Sequence, residues 1–452
     1  MPDAPGVGSK GTAPMTEPPT LFAPATGPGR SAVSVIRISG PASAAVIRAL
    51  SGPLPPPRRL SLRTLRAPDG TPLDQALVAW MPGPASFTGE DMVELHLHGG
   101  LAVRSAVLRA LAEIPQCRPA EPGAFTRRAF LNGRLDLTEA EGIADLIDAE
   151  TEAQRRQALR QLDGALGKRV ADWRERLLDL LAGVEAALDF SDEGDVDDAA
   201  LDAALAQKAR AIRNEVAMVL ADARRGERLR DGFTVVLAGP PNAGKSTLLN
   251  ALSRREAAIV SAIPGTTRDV IEVRCDLGGL PVILVDTAGL RVAGDAIEAE
   301  GIRRTRARMR QADLVVMLAS PDAETSAAEP MPDGPVLRVR TKGDLDPAAP
   351  LPDGAIAISA LTGLGLDRLL AAIEDQASRA VGSGDALITR ERHRLGLTRC
   401  REHLDRLLAG TALPELAAED LRLAVRALGE VAGHVGVEEM LDRLFAGFCI
   451  GK

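Results

Sequence analysis

The stretch Gly239-Pro-Pro-Asn-Ala-Gly244-Lys245-Ser246 constrains this chain more than any other. It fits GxxxxGK[ST], follows the strand-like run FTVVLA and opens the helix-like run STLLNAL. Strand, loop and helix together are what the motif's chemistry needs. The glycines let backbone N–H groups wrap a chain of phosphates. Lys245 reaches the β and γ oxygens, and Ser246 ligates Mg²⁺. A chance glycine-rich turn would lack the strand before it and the helix after it. Asn242, Ala243, Gly244, Lys245, Ser246 and Thr247 are therefore read as a phosphate cradle.

The surroundings of that loop give the domain plan. Residues 229–380 alternate short apolar runs (VVLAG, PVILVD, DLVVML, VLRVR, IAIS) with helical patterns, which implies a parallel sheet of βα units. Residues 131–228 and 381–452 carry apolar residues at helical spacing, among them Ile143, Leu159, Leu166, Trp173, Leu177 and Val184. The simplest plan is one helical domain split by an inserted α/β domain, since insertion is cheap where the ends of a loop lie close together. Asp192 to Asp198 forms an acidic connector, and Gly382 to Gly384 a break. Residues 21–130 read as a separate α/β unit with strands at 33–38, 77–80 and 92–97 and helices at 43–50 and 101–114. Ser43 and Thr389 are placed as helix N-caps. Residues 1–20 are rich in proline and glycine and read as a disordered tail, with Met15 the expected start.

Three further elements follow the loop in order. Gly265-Thr266-Thr267-Arg268-Asp269 offers Thr267 as a hydroxyl for Mg²⁺ and the γ-phosphate. Asp286-Thr287-Ala288-Gly289 ends the strand PVILVD; Asp286 suits Mg²⁺ through water and the Gly289 N–H the γ-phosphate. Thr341-Lys342-Gly343-Asp344 supplies Asp344 for two guanine nitrogens and the Lys342 stem for the face of the base, while Ser359, Ala360 and Leu361 offer backbone N–H groups to the guanine carbonyl. Together these resemble the five-motif set of GTPases with a Ras-like sheet, TKxD standing where NKxD is usual. Composition supports the lysine roles. The chain holds only six lysines, so each survivor is suspected of work arginine cannot do, and Lys245 and Lys342 are two of them.

Leu290 stands where Ras-like proteins carry a glutamine that orients the attacking water. Leucine neither donates nor accepts, so another group is expected to act, with Glu298, Arg268 and Arg291 as the options. No arginine lies within the loop. The Asn242 carbonyl oxygen, with backbone carbonyls of Ser261 and Ile263 and with Thr266, suits a monovalent cation placed where an arginine finger otherwise sits, while Ala262 and Pro264 of the same stretch are read as nucleotide-binding. The plain alternatives are a loop-stabilising role for Asn242 and a solvated helix charge for Glu298.

Net charge is −8, which excludes a generally basic surface and confines any RNA contact to a local patch. The arginine run at 303–310 reads as a solvated helix face rather than such a patch. Four dispersed cysteines argue against a disulfide scaffold and against a zinc site of paired cysteines. No run reaches a membrane-spanning length. His96 and His98 share a strand face, but no third metal ligand is evident, so packing or local hydrogen bonding is preferred. A cytoplasmic protein is expected.

The blocks GRSAVSVIRISG, FTGEDMVELHLHGG and PGAFTRRAFLNGRLDLTEAE, the inserted PNAGKS, GTTRD and DTAGL, and the ending FCIGK resemble the tRNA-modification GTPase family MnmE (TrmE) over nearly all of residues 21–452. The resemblance implies a potassium-activated GTPase that uses GTP and Mg²⁺. It implies a homodimer formed through an N-terminal folate-binding domain. It also implies an FAD-dependent MnmG (GidA)-type partner, in a heterotetramer or larger complex. Together the two add an aminomethyl or carboxymethylaminomethyl group to C5 of the wobble uridine of certain tRNAs. The one-carbon unit comes from 5,10-methylene- or 5-formyl-tetrahydrofolate. The family's folate contacts map onto Arg37, Glu94, Arg134 and Lys452, and its terminal cysteine, a nucleophile or acid/base candidate, onto Cys449. The other reading is a ribosome-assembly GTPase switch of the Era-like class, for which no KH-type GxxG loop follows residue 378. A cysteine fourth from the end also mimics a prenylation box, but a terminal lysine lies outside the usual set.

Overall fold

A computed structural model describes residues 18–189, 198–255, 257–259, 272–286, 307–322, 334–348, 350–382, 385–410, 414–435 and 438–452. These form two compact units, residues 1–140 with 436–452, and residues 141–435. Each is described by itself.

The first unit is built on a six-stranded sheet of order β3-β4-β5-β2-β1-β6. Its strands are β1 (Thr20–Pro24), β2 (Val33–Ser39), β3 (Leu60–Arg66), β4 (Pro72–Met81), β5 (Met92–His98) and β6 (Cys117–Pro119). All neighbours are antiparallel except β1 and β6. Strand alternation divides the residues by face. Ile36, Ile38, Val93, Leu95 and Leu97 are buried in the core with Val46, Ile47 and Leu50 of α1 (Ser43–Ser51) and Val107 and Leu111 of α2 (Leu101–Ala112). Arg37, Glu94 and His96 alternate with them and fall on the opposite face. α3 (Ala124–Leu131) follows, and α4 (Leu137–Asp148) leads out of the unit. The unit is completed by α13 (Glu438–Ala446) and the last residues, which pack on α3. Gly123 permits that approach, because a Cβ there would lie 2.7 Å from the Phe445 carbonyl oxygen.

The second unit contains a seven-stranded sheet of order β13-β12-β11-β7-β10-β9-β8. β7 (Phe233–Ala238), β10 (Leu280–Asp286), β11 (Leu314–Ala319), β12 (Val336–Arg340) and β13 (Ile356–Ala357) are parallel. β9 (Glu272–Leu277) and β8 (Ala258–Ile259) add an antiparallel edge. Near-continuous apolar strands suit a sheet covered on both faces. α9 (Lys245–Ser253) and α10 (Leu366–Val381) bury Leu248, Leu252, Leu369 and Ile373 against it. The helical elements of this unit are α5 (Glu152–Leu162), α6 (Ala165–Asp189), α7 (Asp198–Ala221), α8 (Ala223–Asp231), α11 (Glu391–Leu408) and α12 (Pro414–Ala432). α6, α7, α11 and α12 share a core around fully buried Trp173.

A buried ion cluster locks the start of the second unit. Glu141 on α4 is 1 % exposed and receives both Nε (2.5 Å) and Nη2 (2.6 Å) of Arg392, with His393 Nε2 at 2.8 Å. Asp145, one turn on, receives Arg230 at 2.8 Å and Arg390 at 2.5 Å. Burial alone would raise the Glu141 pKa. The charges and hydrogen bonds of Arg392 and His393 outweigh it and hold the carboxyl well below the usual range.

Two expected helix caps are not caps. The cap position of α1 is Ala42, and the Ser43 hydroxyl instead donates to the Asp91 carbonyl at 2.9 Å. α11 begins after Arg390, and the Thr389 hydroxyl donates to Gln161 Oε1 at 2.6 Å. In both cases the hydroxyl satisfies a distant acceptor rather than its own helix. The acidic connector at 192–197, the glycine-serine break at 383–384 and Met15 lie outside the described residues.

Candidate functional site

The phosphate loop leaves the carboxyl end of β7, the strand between β10 and β11. Ligand groups in open parallel sheets gather at that edge. Gly239 has φ 144°, and a Cβ there would sit 2.4 Å from the Leu318 carbonyl oxygen, so no other residue fits the start of the loop. Asn242 holds φ 60°, unusual for a non-glycine residue but tolerated by Asn, and Gly244 caps α9 in the left-handed region. The loop closes around Lys245, which is 7 % exposed and donates to the carbonyls of Gly239 (2.7 Å) and Pro240 (2.8 Å). The Ser246 hydroxyl donates to Asp286 Oδ2 at 2.6 Å. Asp286 ends β10 beside Leu237 of β7 and is fully buried. Two hard oxygen groups thus converge beside the first turn of α9, a donor set that suits Mg²⁺.

The base-reading residues lie at the ends of the neighbouring strands. Thr341 follows β12, is 4 % exposed, and donates its hydroxyl to the Ala243 carbonyl at 2.8 Å. Its N–H is bonded to Ala319 at the end of β11. The threonine that departs from the usual asparagine is therefore a tie between two loops. Lys342 adopts φ 54° and places its ammonium 2.8 and 2.6 Å from the two carboxylate oxygens of Asp322. The Lys342 hydrogen bond holds the Asp322 carboxyl down at about 2. Asp344 is half-buried in the same turn. One expected donor is already committed. The Ser359 N–H bonds to the Leu364 carbonyl at 2.9 Å, which leaves Ala360 and Leu361 of that set. Ser261, Ala262, Ile263, Pro264, Gly265, Thr266, Thr267, Arg268, Thr287, Ala288, Gly289, Leu290, Arg291 and Glu298 lie outside the described residues, as do 303–306 of the arginine run.

In the first unit, Arg37 and Glu94 are direct partners across β2 and β5. Arg37 donates Nε (3.1 Å) and Nη2 (2.9 Å) to Glu94 Oε1, and Nη1 to the Gly451 carbonyl at 3.3 Å. His96 Nε2 lies 3.4 Å from the other Glu94 oxygen. The guanidinium sits over the rings of Phe87 (5.4 Å) and Phe125 (6.0 Å). Gly451 has φ 96°, and a Cβ would meet the Pro24 carbonyl at 2.1 Å, so the terminal turn is held close to β1. Lys452 is half-buried; burial and the Arg37 charge lower its pKa, against the opposing pull of Glu94. The structure thus brings Arg37, Glu94 and Lys452 into one cluster. Arg134 is exposed and joins it through a neighbour: it lines a cavity of about 500 Å³ with Arg58, Leu60, Met81 and Phe87. That volume is in the range of small-molecule pockets. Phe87, which opens the block FTGEDMVELHLHGG but has no role assigned from the sequence, connects the cavity to Arg37. Cys449 is exposed. His98 pairs with Asp74 (Nδ1 to Oδ1, 2.7 Å), and no metal-ligating cluster occurs among the described residues.

Loop, strand edge and sheet order define a multidomain α/β and helical protein built around a P-loop GTPase domain. Residues 20–134 match the family model "GTP-binding protein TrmE N-terminus", and residues 137–449 match "MnmE helical domain". Curated proteins named tRNA modification GTPase MnmE resemble the chain almost end to end. That of Methylorubrum populi is 70% identical over 96% of this chain and 98% of its own. That of Methylobacterium radiotolerans is 67% identical over 97% and 100%, and that of Rhodospirillum rubrum 52% over 96% and 99%. The chain belongs to the tRNA modification GTPase MnmE family.

Proposed function

We propose that this chain hydrolyses GTP in the service of tRNA modification. In this reading it works as a homodimer with an FAD-dependent MnmG (GidA)-type partner to install an aminomethyl or carboxymethylaminomethyl group at C5 of the wobble uridine. The observation that carries the reading is the pair of sites in one chain, a phosphate loop and an Arg37–Glu94–Lys452 cluster beside a cavity. The ribosome-assembly alternative is not favoured, because the relatives that span the chain are named for tRNA modification.

At the first site, the backbone N–H groups of residues 242–247 and the Lys245 ammonium hold the phosphates. Ser246 with Thr267, and Asp286 through water, would hold Mg²⁺, which would supply neutralisation of the phosphate charge. Asn242 is the described member of a potassium set with Ser261, Ile263 and Thr266. Thr267 and Glu298 are assigned to γ-phosphate sensing and water orientation. Asp344, Lys342, Ala360 and Leu361 take the guanine. At the second site, the Glu94 carboxylate accepts from the paired N–H donors of a pterin. Arg37 fixes the orientation of Glu94, Phe87 offers a ring to stack on, and Arg134 and Lys452 face the acidic end of a tetrahydrofolate. The folate supplies the one-carbon unit. The exposed Cys449 thiol is within reach of solvent-borne reactants as a nucleophile or proton donor.

Leu60, Leu62 and Leu77 expose 57%, 68% and 40% of their surface on neighbouring strands, an apolar face that suits a second copy. Titration of the full chain with 5-formyltetrahydrofolate tests the folate half of the reading. Saturable heat that Glu94→Gln abolishes, with GTP hydrolysis retained, is expected; no heat with the parent chain refutes it. GTP hydrolysis faster in K⁺ than in Na⁺, with the difference lost in Asn242→Ala, is the matching expectation for the cation.

A further inference from the structure

Residues 18–68 contain seven arginines and not one aspartate or glutamate, although the whole chain has 62 acidic residues and a net charge of −8. Over residues 20–134 there are 13 arginines against 7 carboxylates, net +6. The charge of this protein is therefore sharply segregated, which the overall acidity conceals. The structure shows that this excess is not neutralised locally. Among the described residues of that stretch, Arg37, Arg127 and Arg128 form ion pairs with carboxylates. The other ten form none, among them Arg48, Arg58, Arg59, Arg63 and Arg66; Arg58 and Arg66 donate to backbone carbonyls, and the buried Nε of half-buried Arg63 has no partner. In the second unit the pattern is the reverse: Arg155 and Arg156 share Glu152, Arg176 pairs with Glu215, Arg213 with Asp405 and Arg422 with Glu185.

Five of these ten, Arg48, Arg58, Arg59, Arg63 and Arg66, are gathered at one side of the sheet. Arg59 precedes and Arg63 and Arg66 lie on β3, the edge strand of the sheet, and Arg48 lies on α1, which packs against β3. An edge strand needs charge to resist strand addition, but one or two charged residues serve that end. None of the five forms an ion pair with Asp69 or Asp74, the acids of the β3–β4 hairpin, so the edge keeps an excess of positive charge that a polyanion would neutralise. Arginine's planar fork suits phosphate oxygens, and double-stranded RNA is bound through its backbone and shape rather than its bases.

We propose that Arg48, Arg59 and Arg66, at the β3 edge and beside rather than on the apolar Leu60–Leu62–Leu77 face, form the surface on which the phosphate backbone of tRNA docks. The proposal rests on the tRNA reading above and adds to it a place.

The test uses the full chain and unmodified tRNA, with affinity followed by fluorescence anisotropy from 50 to 200 mM KCl. The variant is Arg48→Gln/Arg59→Gln/Arg66→Gln; the control is Arg155→Gln/Arg156→Gln/Arg422→Gln. Each lost phosphate contact lowers the salt slope by about 0.9. The parent should therefore lose roughly forty-fold more affinity than the variant over that range. The control should keep the parent's slope, and both should keep the parent's rate of GTP hydrolysis and its elution volume. An unchanged slope in the variant overturns the dock while leaving the tRNA reading intact. Equal losses in both variants, elution of the variant as a smaller species, or a basic edge that binds phosphatidylglycerol vesicles in place of tRNA also overturn it. A parent chain with no salt-dependent tRNA binding overturns both.

Discussion

The Thr341 hydroxyl links the loop that reads the base to the loop that holds the phosphates, and its removal has a calculable effect. Thr341→Val keeps the shape but deletes the donor. The Ala319 carbonyl keeps its bond from the Thr341 N–H, so the loss falls on Ala243, whose carbonyl accepts at 2.8 Å in a position where the side chain is 4 % exposed. Leaving one buried acceptor without that partner costs about 1–2 kcal/mol. If the cost is borne by the assembled site, GTP and GDP should both bind roughly 5–30-fold more weakly. The two should weaken equally, because the tie holds the base loop and does not touch the γ-phosphate. Thr341→Asn, which restores the residue usual in NKxD, should recover most of the loss. Fluorescent guanine-nucleotide titrations measure all six constants. An unchanged affinity, or a loss for GTP alone, would refute the assignment of Thr341 as a loop tie.

Glu141→Gln leaves Arg390 and Arg392 facing a neutral group and should destabilise the second unit by about 3–5 kcal/mol. With a urea dependence of about 3 kcal/mol/M, the midpoint should fall by about 1–2 M. The two tryptophans separate the units, Trp173 in the helical core and Trp80 in the first sheet, so the shift should appear in a Trp80→Phe background and not in a Trp173→Phe background. Because the Glu141 pKa is lowered in the fold, the gap between parent and variant should be constant above about pH 4.5, the ordinary glutamate value, and shrink only as the pH falls below it. Burial, first of all, lowers the pKa of His393, with the Arg392 and Arg390 charges adding to it against Glu141, so parent stability should decline below its ordinary value of 6.5, and His393→Gln should flatten that limb of the curve. Gly451→Ala places a methyl group against the Pro24 carbonyl and should abolish folate binding in calorimetry without altering the Trp173 transition.

What could be read from the chain depended on how local each feature is. The phosphate loop needs only contiguous residues, so Lys245 and Ser246 were placed by spacing alone, and Asp286 by its position at the end of a run of apolar residues. The pairing of Arg37 with Glu94 spans 57 residues and exists only through the register of β2 and β5; without the family resemblance each reads as a surface charge. β3 was missed because its alternation faces the wrong way: Leu60 and Leu62 point to solvent, and only Leu65 is buried. β1 and β6 were missed because they are short and contain Pro24 and Pro119. Ser43 and Thr389 look like caps from composition, and only the tertiary fold supplies the acceptors, Asp91 and Gln161, that claim their hydroxyls.

The bond from Arg37 to the Gly451 carbonyl joins residues 414 positions apart. At a synthesis rate of about 5–20 residues per second, roughly 20–80 s separate the emergence of β2 from that of its last contact. In the last part of that interval, once β13 has emerged, a nascent chain can complete the nucleotide-binding sheet but not the amino-terminal cluster. A ribosome that stalls late therefore releases a product able to hold GTP while lacking the floor of its other site, a half-equipped molecule that quality control would have to recognise by that gap alone.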